Sequence, residues 1–286
     1  MAKNILVSAA ELEALVHDGR CIPVDCRFEF SDPDKGRADW LAGHIPGAAY
    51  AHLNDDLSSP ITEQSGRHPL PERGKFAAWL ASIGWSPARL LVAYDEGSNA
   101  VASRLWWLMR YFGQQSALLD GGLAAWVASG RALEAGETGR PAAAVTDLRP
   151  HDSQQVETAA LEKILARGGA LLLDARANQR FRGEVEPLDT RAGHIPGALN
   201  RPFGTNLRMN GQFKDSEALR DEFLDLVGER EPGSVIHSCG SGVTACHNLF
   251  AMELAGLEGS RLYPGSWSEW VRDPGRPIET GDPAVA

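Results

Sequence analysis

Apolar residues along the chain follow two alternating patterns. Short runs such as Ile22-Pro23-Val24-Asp25, Leu90-Leu91-Val92-Ala93-Tyr94, Leu171-Leu172-Leu173-Asp174 and Val235-Ile236-His237 read as buried strands. Between them, apolar positions recur three and four residues apart, the period of a helix with one face on a core. Leu12, Leu15 and Val16 form such a stripe behind Ser8 and Glu11, which have the spacing of a capping box. Further helices are expected over residues 72–83, over 217–227, and from near Val243 through Leu254. Strands buried on both faces and separated by helices predict small α/β units, each a parallel β-sheet with helices on both faces.

The pattern is written twice. Residues 7–27 align without gaps on residues 156–176, matching Val7, Leu12, Glu13, Gly19, Asp25 and Arg27 to Val156, Leu161, Glu162, Gly168, Asp174 and Arg176. The turn Gly43-His44-Ile45-Pro46-Gly47-Ala48 recurs as Gly193-His194-Ile195-Pro196-Gly197-Ala198. The stretch from Asp120 to Trp126 answers Pro264 to Trp270. Three matches in the same order mark a tandem duplication. The stretch 136–144, rich in Gly, Pro and Ala, places the join near residue 142 and two domains at 1–142 and 143–286. The chain after Pro274 lacks periodicity and reads as a surface extension.

Composition narrows the function classes. The 286 residues suit two cores of ordinary size. A formal net charge of -10 argues against nucleic acid or an anionic membrane as partner. No apolar stretch approaches membrane-spanning length. Four cysteines without framework spacing point to a reducing compartment, and the first residues show no secretory pattern, so the cytoplasm is expected.

The candidate chemistry lies at Cys239-Gly240-Ser241-Gly242-Val243-Thr244, between a strand and a helix. A cysteine at such a turn faces backbone N–H groups and a helix N-terminus, both of which favour a thiolate. The two glycines permit the tight turn that aims those groups inward. The matching stretch of the first copy, Tyr94-Asp95-Glu96-Gly97-Ser98-Asn99, has no cysteine, and its acids would repel an anion. One active site per chain is expected.

The duplication, the paired GHIPGA turns and the CGSGVT loop resemble the rhodanese superfamily of sulfurtransferases over nearly the whole chain. The loop is more like that of mercaptopyruvate enzymes than that of thiosulfate-preferring rhodaneses, which often carry a basic residue after the cysteine. The resemblance implies a sulfurtransferase in which Cys239 takes sulfane sulfur from a small anionic donor and passes it to a thiol, thioredoxin or cyanide, with no cofactor. It favours 3-mercaptopyruvate as donor; a thiosulfate-preferring rhodanese and a non-enzymatic rhodanese-like binding module are the alternatives. Backbone groups of Gly240, Gly242, Val243 and Thr244 would hold the persulfide. Arg180 matches the family's anion-binding arginine. A second arginine is replaced by Asp189 in a shortened stretch, with Arg191 as its expected substitute. Gly66-Arg67-His68 resembles the segment that gives mercaptopyruvate enzymes a histidine, which would pair His68 with Ser241 for proton transfer. The family's carboxylate partner reads Asn54 here, beside Asp55 and Asp56.

Two other chemistries are disfavoured. Phosphatases on a related architecture use C-x5-R, but the sixth residue after Cys239 is Ala245. The set His237, Cys239, Cys246 and His247 lacks the spacing of a zinc knuckle, so no metal is expected. Cys246 reads as core, and His44 and His194, present in both copies, as structural.

Overall fold

The structure, a computed structural model, describes residues 5–145 and 148–282. The chain forms two compact units. One comprises the chain through Ser59, Leu70–His151 and Leu207–Phe213; the other comprises Pro60–Pro69, Asp152–Asn206 and the chain from Lys214 onward.

The first unit contains β1 (Leu6–Val7), α1 (Ala9–His17), β2 (Cys21–Asp25), α2 (Lys35–Ala42), β3 (Ala49–Tyr50), α3 (Arg73–Ser82), β4 (Leu90–Tyr94), α4 (Ala102–Tyr111), β5 (Ser116–Leu119) and α5 (Gly122–Ala128). Its strands pair in the order β1-β5-β4-β2-β3, every pair parallel. All five residues of β2 are buried. Neighbouring side chains of a strand point to opposite faces, so both faces of the sheet are covered, as expected of parallel sheets. The capping box forms: Ser8 Oγ accepts from the Glu11 N–H at 3.2 Å, and the Ser8 N–H donates to Glu11 at 2.8 Å.

The second unit repeats the plan with α6 (Thr158–Ala166), β6 (Leu171–Asp174), α7 (Asn178–Phe181), β7 (Leu199–Asn200), α8 (Ser216–Val227), β8 (Val235–Ser238), α9 (Ala245–Leu254), β9 (Arg261–Leu262) and α10 (Ser266–Trp270). Its sheet order is β7-β6-β8-β9, again parallel throughout. A parallel bridge from Gln155 to Leu262 stands where β1 meets β5 in the first unit. Of the two-residue edge strands, β3 and β7 lie where the stretches 48–50 and 198–200, after the duplicated turns, read as short strands, whereas β1 and β9 are too short to show a period and the hydrophobic pattern did not predict them.

The GHIPGA turns anchor the periphery of each unit. His44 and His194 are fully buried, stacked on Trp40 and Phe181, and hydrogen-bonded through Nδ1 to the carbonyls of the same two residues. That is the structural role expected of them. Each turn is clamped by an antiparallel bridge, His44 to Glu134 and His194 to Glu279. The described stretch after Pro274 lies at the surface, as expected, and is tied back to the turn. Glu279 pairs with the turn, and the Trp270 indole donates to the Pro277 carbonyl at 2.8 Å. No helix among the described residues is long and apolar enough to cross a membrane.

Candidate active site

Strand β8 runs beside β6 with Asp174 opposite Ser238, so Cys239 is the first residue beyond the sheet's C-terminal edge. Ligands of open parallel sheets bind at that edge. The thiol is 2% exposed. Gly242 turns the loop at φ +74, in the left-handed region, and a Cβ there would lie 2.4 Å from the Pro264 carbonyl oxygen. Both facts require glycine. Helix α9 then starts at Ala245, with the His247 N–H donating to the Thr244 carbonyl at 3.1 Å. The loop from Gly240 to Thr244 thus lies between strand end and helix start.

The stretch ahead of and within α10 brackets this loop. The Cys239 N–H donates to Ser266 Oγ at 3.0 Å, and that hydroxyl donates to the Tyr263 carbonyl at 2.9 Å. The N–H groups of Trp267 and Ser268 donate to the carbonyls of Cys239 and Gly240, both at 2.9 Å. Ser266 holds φ +52, a conformation a non-glycine residue rarely adopts, and its counterpart Gly122 has φ +57. The sequence marked this stretch as a repeat, but a hydrogen bond to the cysteine backbone leaves no periodic trace.

Segment 60–69 brings two side chains to the loop. Its backbone is fixed by the Gly66 N–H to Glu269 at 3.3 Å, the Arg67 N–H to Ser268 Oγ at 3.0 Å, and Arg272 to the Ser65 carbonyl at 3.2 Å. His68 Nδ1 then lies 2.7 Å from Ser241 Oγ, with both residues buried. Asp55 and Asp56, next to the family's carboxylate position, both close on His52: Asp56 accepts the His52 N–H at 2.8 Å, and Asp55 lies 3.1 Å from its imidazole.

Cations gather round the cysteine. Arg176 is buried, bound to Asp174 at 2.8 Å and to the Gly193 carbonyl at 2.7 Å, and its guanidinium lies over the Trp267 ring. It is within electrostatic reach of the Cys239 thiol. Arg180 is held by Glu186 at 2.6 Å and lies 3.5 Å from Asp189. A Cβ built on Gly240 would stand 3.5 Å from Arg180 Nη1, so this guanidinium overhangs the residue next to Cys239. Arg67 pairs with Asp189 and overhangs the same glycine.

Arg191 does not join them. Its guanidinium donates to the carbonyls of Arg276 and Pro274 at 3.2 and 3.4 Å. The expectation that it replaces the missing second arginine is thus corrected: its fork is engaged by the backbone after α10. The other nearby histidines are also committed. His237 Nε2 faces Met252 Sδ at 3.2 Å, and His247 Nδ1 meets the Asn206 amide at 3.1 Å. Cys246 is fully buried, its thiol 3.4 Å from the Gly242 carbonyl. Arg67, Glu186 and Ser266 were not anticipated; Arg67 stood in the sequence beside His68, and its place over Gly240 depends on the docking of segment 60–69.

Comparison with known proteins points to one family. The model of the rhodanese-like domain matches residues 8–129 and again 157–273. A Pseudomonas aeruginosa protein named "Probable 3-mercaptopyruvate sulfurtransferase" is 45% identical, over 99% of this chain and all of its own length. A Mycobacterium tuberculosis protein provisionally named a thiosulfate sulfurtransferase, SseB, is 39% identical over 97% of this chain and 98% of its own. The crystal structure of SseA from Escherichia coli, described as a 3-mercaptopyruvate sulfotransferase with the rhodanese fold, superposes with a TM-score of 0.81 at 32% identity, over 93% of this chain and all of that one. With both halves matched and full-length relatives at this identity, the chain belongs to the rhodanese superfamily of sulfurtransferases, as a tandem pair of rhodanese-like domains.

Proposed function

We propose that the protein moves sulfane sulfur from a small anionic donor to a thiol, thioredoxin or cyanide through a persulfide on Cys239. The observation that carries this reading is the convergence, within one unit, of a thiol at the sheet edge, a Ser241–His68 pair and the Arg180 guanidinium overhanging Gly240. The Cys239 thiolate attacks the donor sulfur and forms the S–S bond. With 3-mercaptopyruvate the C–S bond breaks, its electron pair stays on carbon as the enolate, and a proton from the donor thiol gives pyruvate. With thiosulfate the S–S bond breaks and sulfite leaves with the pair. The acceptor then attacks the outer sulfur and returns Cys239 as thiolate.

The roles follow from chemistry. Backbone N–H groups of Gly240, Gly242, Val243 and Thr244 face the charge that remains on the persulfide. Arg180 takes the donor's anionic group. Ser241 and His68 form a hydroxyl–imidazole pair able to carry the proton the enolate requires, and thiosulfate needs no such proton. Their 2.7 Å separation therefore favours 3-mercaptopyruvate. Thiosulfate is the second reading, favoured by the density of cations round Cys239 and Gly240. The cytoplasm, where thiols stay reduced, suits the acceptors.

Purified protein given either donor with cyanide should form thiocyanate, and donor alone should leave Cys239 one sulfur heavier by intact mass. Cys239→Ser should abolish both while keeping the wild-type melting temperature. Substantial turnover by that variant, or none by the wild type with either donor, would overturn the reading.

A further inference from the structure

The acidic residue at position 189 stands between two arginines. One carboxylate oxygen pairs with Arg67 Nη1, and the other lies 3.5 Å from Arg180 Nη2. Asp189 is almost fully buried, as is Glu186, which holds the Nε side of Arg180. Each guanidinium is thus gripped on one side, and each leaves one NH2 group over the same residue. A Cβ placed on Gly240 would lie 2.9 Å from Arg67 Nη2 and 3.5 Å from Arg180 Nη1. Neither NH2 group has a hydrogen-bond partner among the described residues. A side chain at Gly240 would meet both guanidinium groups, and Gly240 adjoins the cysteine, since consecutive Cα atoms are about 3.8 Å apart.

We infer that Arg67 is a second anion-binding residue for the sulfur donor, held over Gly240 by Asp189 and acting together with Arg180. The inference rests on the reading of Cys239 as the sulfur-accepting thiol and adds how the donor's charge is recognised. Two NH2 groups converging from separate side chains suit oxygens that diverge from one centre, as in a carboxylate or a sulfonate. Asp189 fits the same logic. An acid at the place of a second arginine looks hostile to an anion, yet here it orients one arginine that the segment before His68 supplies. Arg67 does not reach for bulk solvent: its side chain is 22% exposed, and its own backbone N–H is fixed by Ser268.

Two variants test this. Arg67→Met keeps the length of the side chain and removes its charge; Arg67→Lys keeps the charge and removes the fork. A lost charge-assisted bond should raise KM for thiosulfate and 3-mercaptopyruvate by about tenfold or more in Arg67→Met, with kcat little changed. Arg67→Lys should recover part of the loss. Thiosulfate titrated calorimetrically into Cys239→Ala, with and without Arg67→Met, should show the same weakening of Kd where no chemistry follows. Unchanged KM for both donors and unchanged Kd in folded Arg67→Met protein would overturn the assignment. Inactive wild-type protein that still binds thiosulfate through Arg67 would overturn the transferase reading and keep the anion site.

Discussion

Asp95 occupies in the first unit the position Cys239 holds in the second: it follows the strand residue Tyr94, paired with Asp25, as Cys239 follows Ser238, paired with Asp174. Its carboxylate accepts N–H groups of Asn99 at 2.7 Å, Val101 at 3.0 Å, Gly97 at 3.2 Å and Ala102 at 3.5 Å. Burial pushes the carboxyl above its ordinary pKa, and those N–H groups pull against the shift. A carboxylate oxygen lies two atoms beyond Cβ, the distance in bonds of the outer sulfur of a cysteine persulfide. The first unit therefore shows how a loop of this type surrounds a charge at that reach. The acid does not chiefly repel ligands; it fills the loop from within, while Glu96 next to it stands 79% exposed. Asp95→Ala should strand buried donors and lower stability by about 3 kcal/mol, measured by urea unfolding; a loss below about 1 kcal/mol would show that water replaces the carboxylate. In the second unit, His68→Gln should lower kcat with 3-mercaptopyruvate by about a hundredfold and leave thiosulfate turnover nearly intact. Equal losses on both donors would remove His68 from proton transfer.

At the scale of elements, segment 60–69 matters more than its lack of secondary structure suggests. It packs within the second unit because Gly66 lets its backbone come close to the start of α10: a Cβ there would lie 2.6 Å from the Gly265 carbonyl oxygen and 2.8 Å from Ser268 Oγ. Backbone cannot yield as a flexible side chain does, so Gly66→Ala has to lift the segment and with it both Arg67 and His68. A displacement near an ångström is worth about a hundredfold in rate. We expect kcat/KM for 3-mercaptopyruvate to fall on that order while the melting temperature moves little; a rate within about threefold of wild type would mean the segment does not position these groups. Residues 207–213 are the corresponding piece in the first unit: a short hairpin bridged from Leu207 to Phe213, whose Phe213 N–H donates to Asp120 at 2.9 Å.

For the whole molecule, the consequence of burial that a melting curve can read is pH dependence. Burial, reinforced by the charge of Arg201, holds the His237 imidazole down at about 3, against an ordinary value of 6.5. Below that ordinary value the unfolded chain binds a proton that the folded chain refuses. Stability present at neutral pH is therefore lost as pH falls from 6.5 toward 3, by about 2 kcal/mol near pH 5 from this group alone. Urea unfolding of wild type and His237→Gln across that range should show a shallower pH slope in the variant. Identical slopes would contradict the assignment.

The sequence by itself determined what depends on neighbours along the chain. The runs ending in Asp25, Tyr94 and Asp174 became β2, β4 and β6 with those same last residues, the capping box formed at Ser8, and the duplicated turns placed His44 and His194 alike. The place of the candidate cysteine, between a strand and a helix, was legible as well, because a cysteine followed by two spaced glycines there is a local pattern. Tertiary structure alone decided which distant side chains meet that cysteine. The sequence offered Arg191 and not Arg67 as the second cation; packing turned Arg191 to the carbonyls of Pro274 and Arg276 and Arg67 to Gly240. The pairing of Ser241 with His68, resembled in sequence, took its 2.7 Å distance from the approach of Gly66 to Gly265. Periodicity encodes burial, which is local; the meeting of charges far apart in sequence is fixed only when the core has closed.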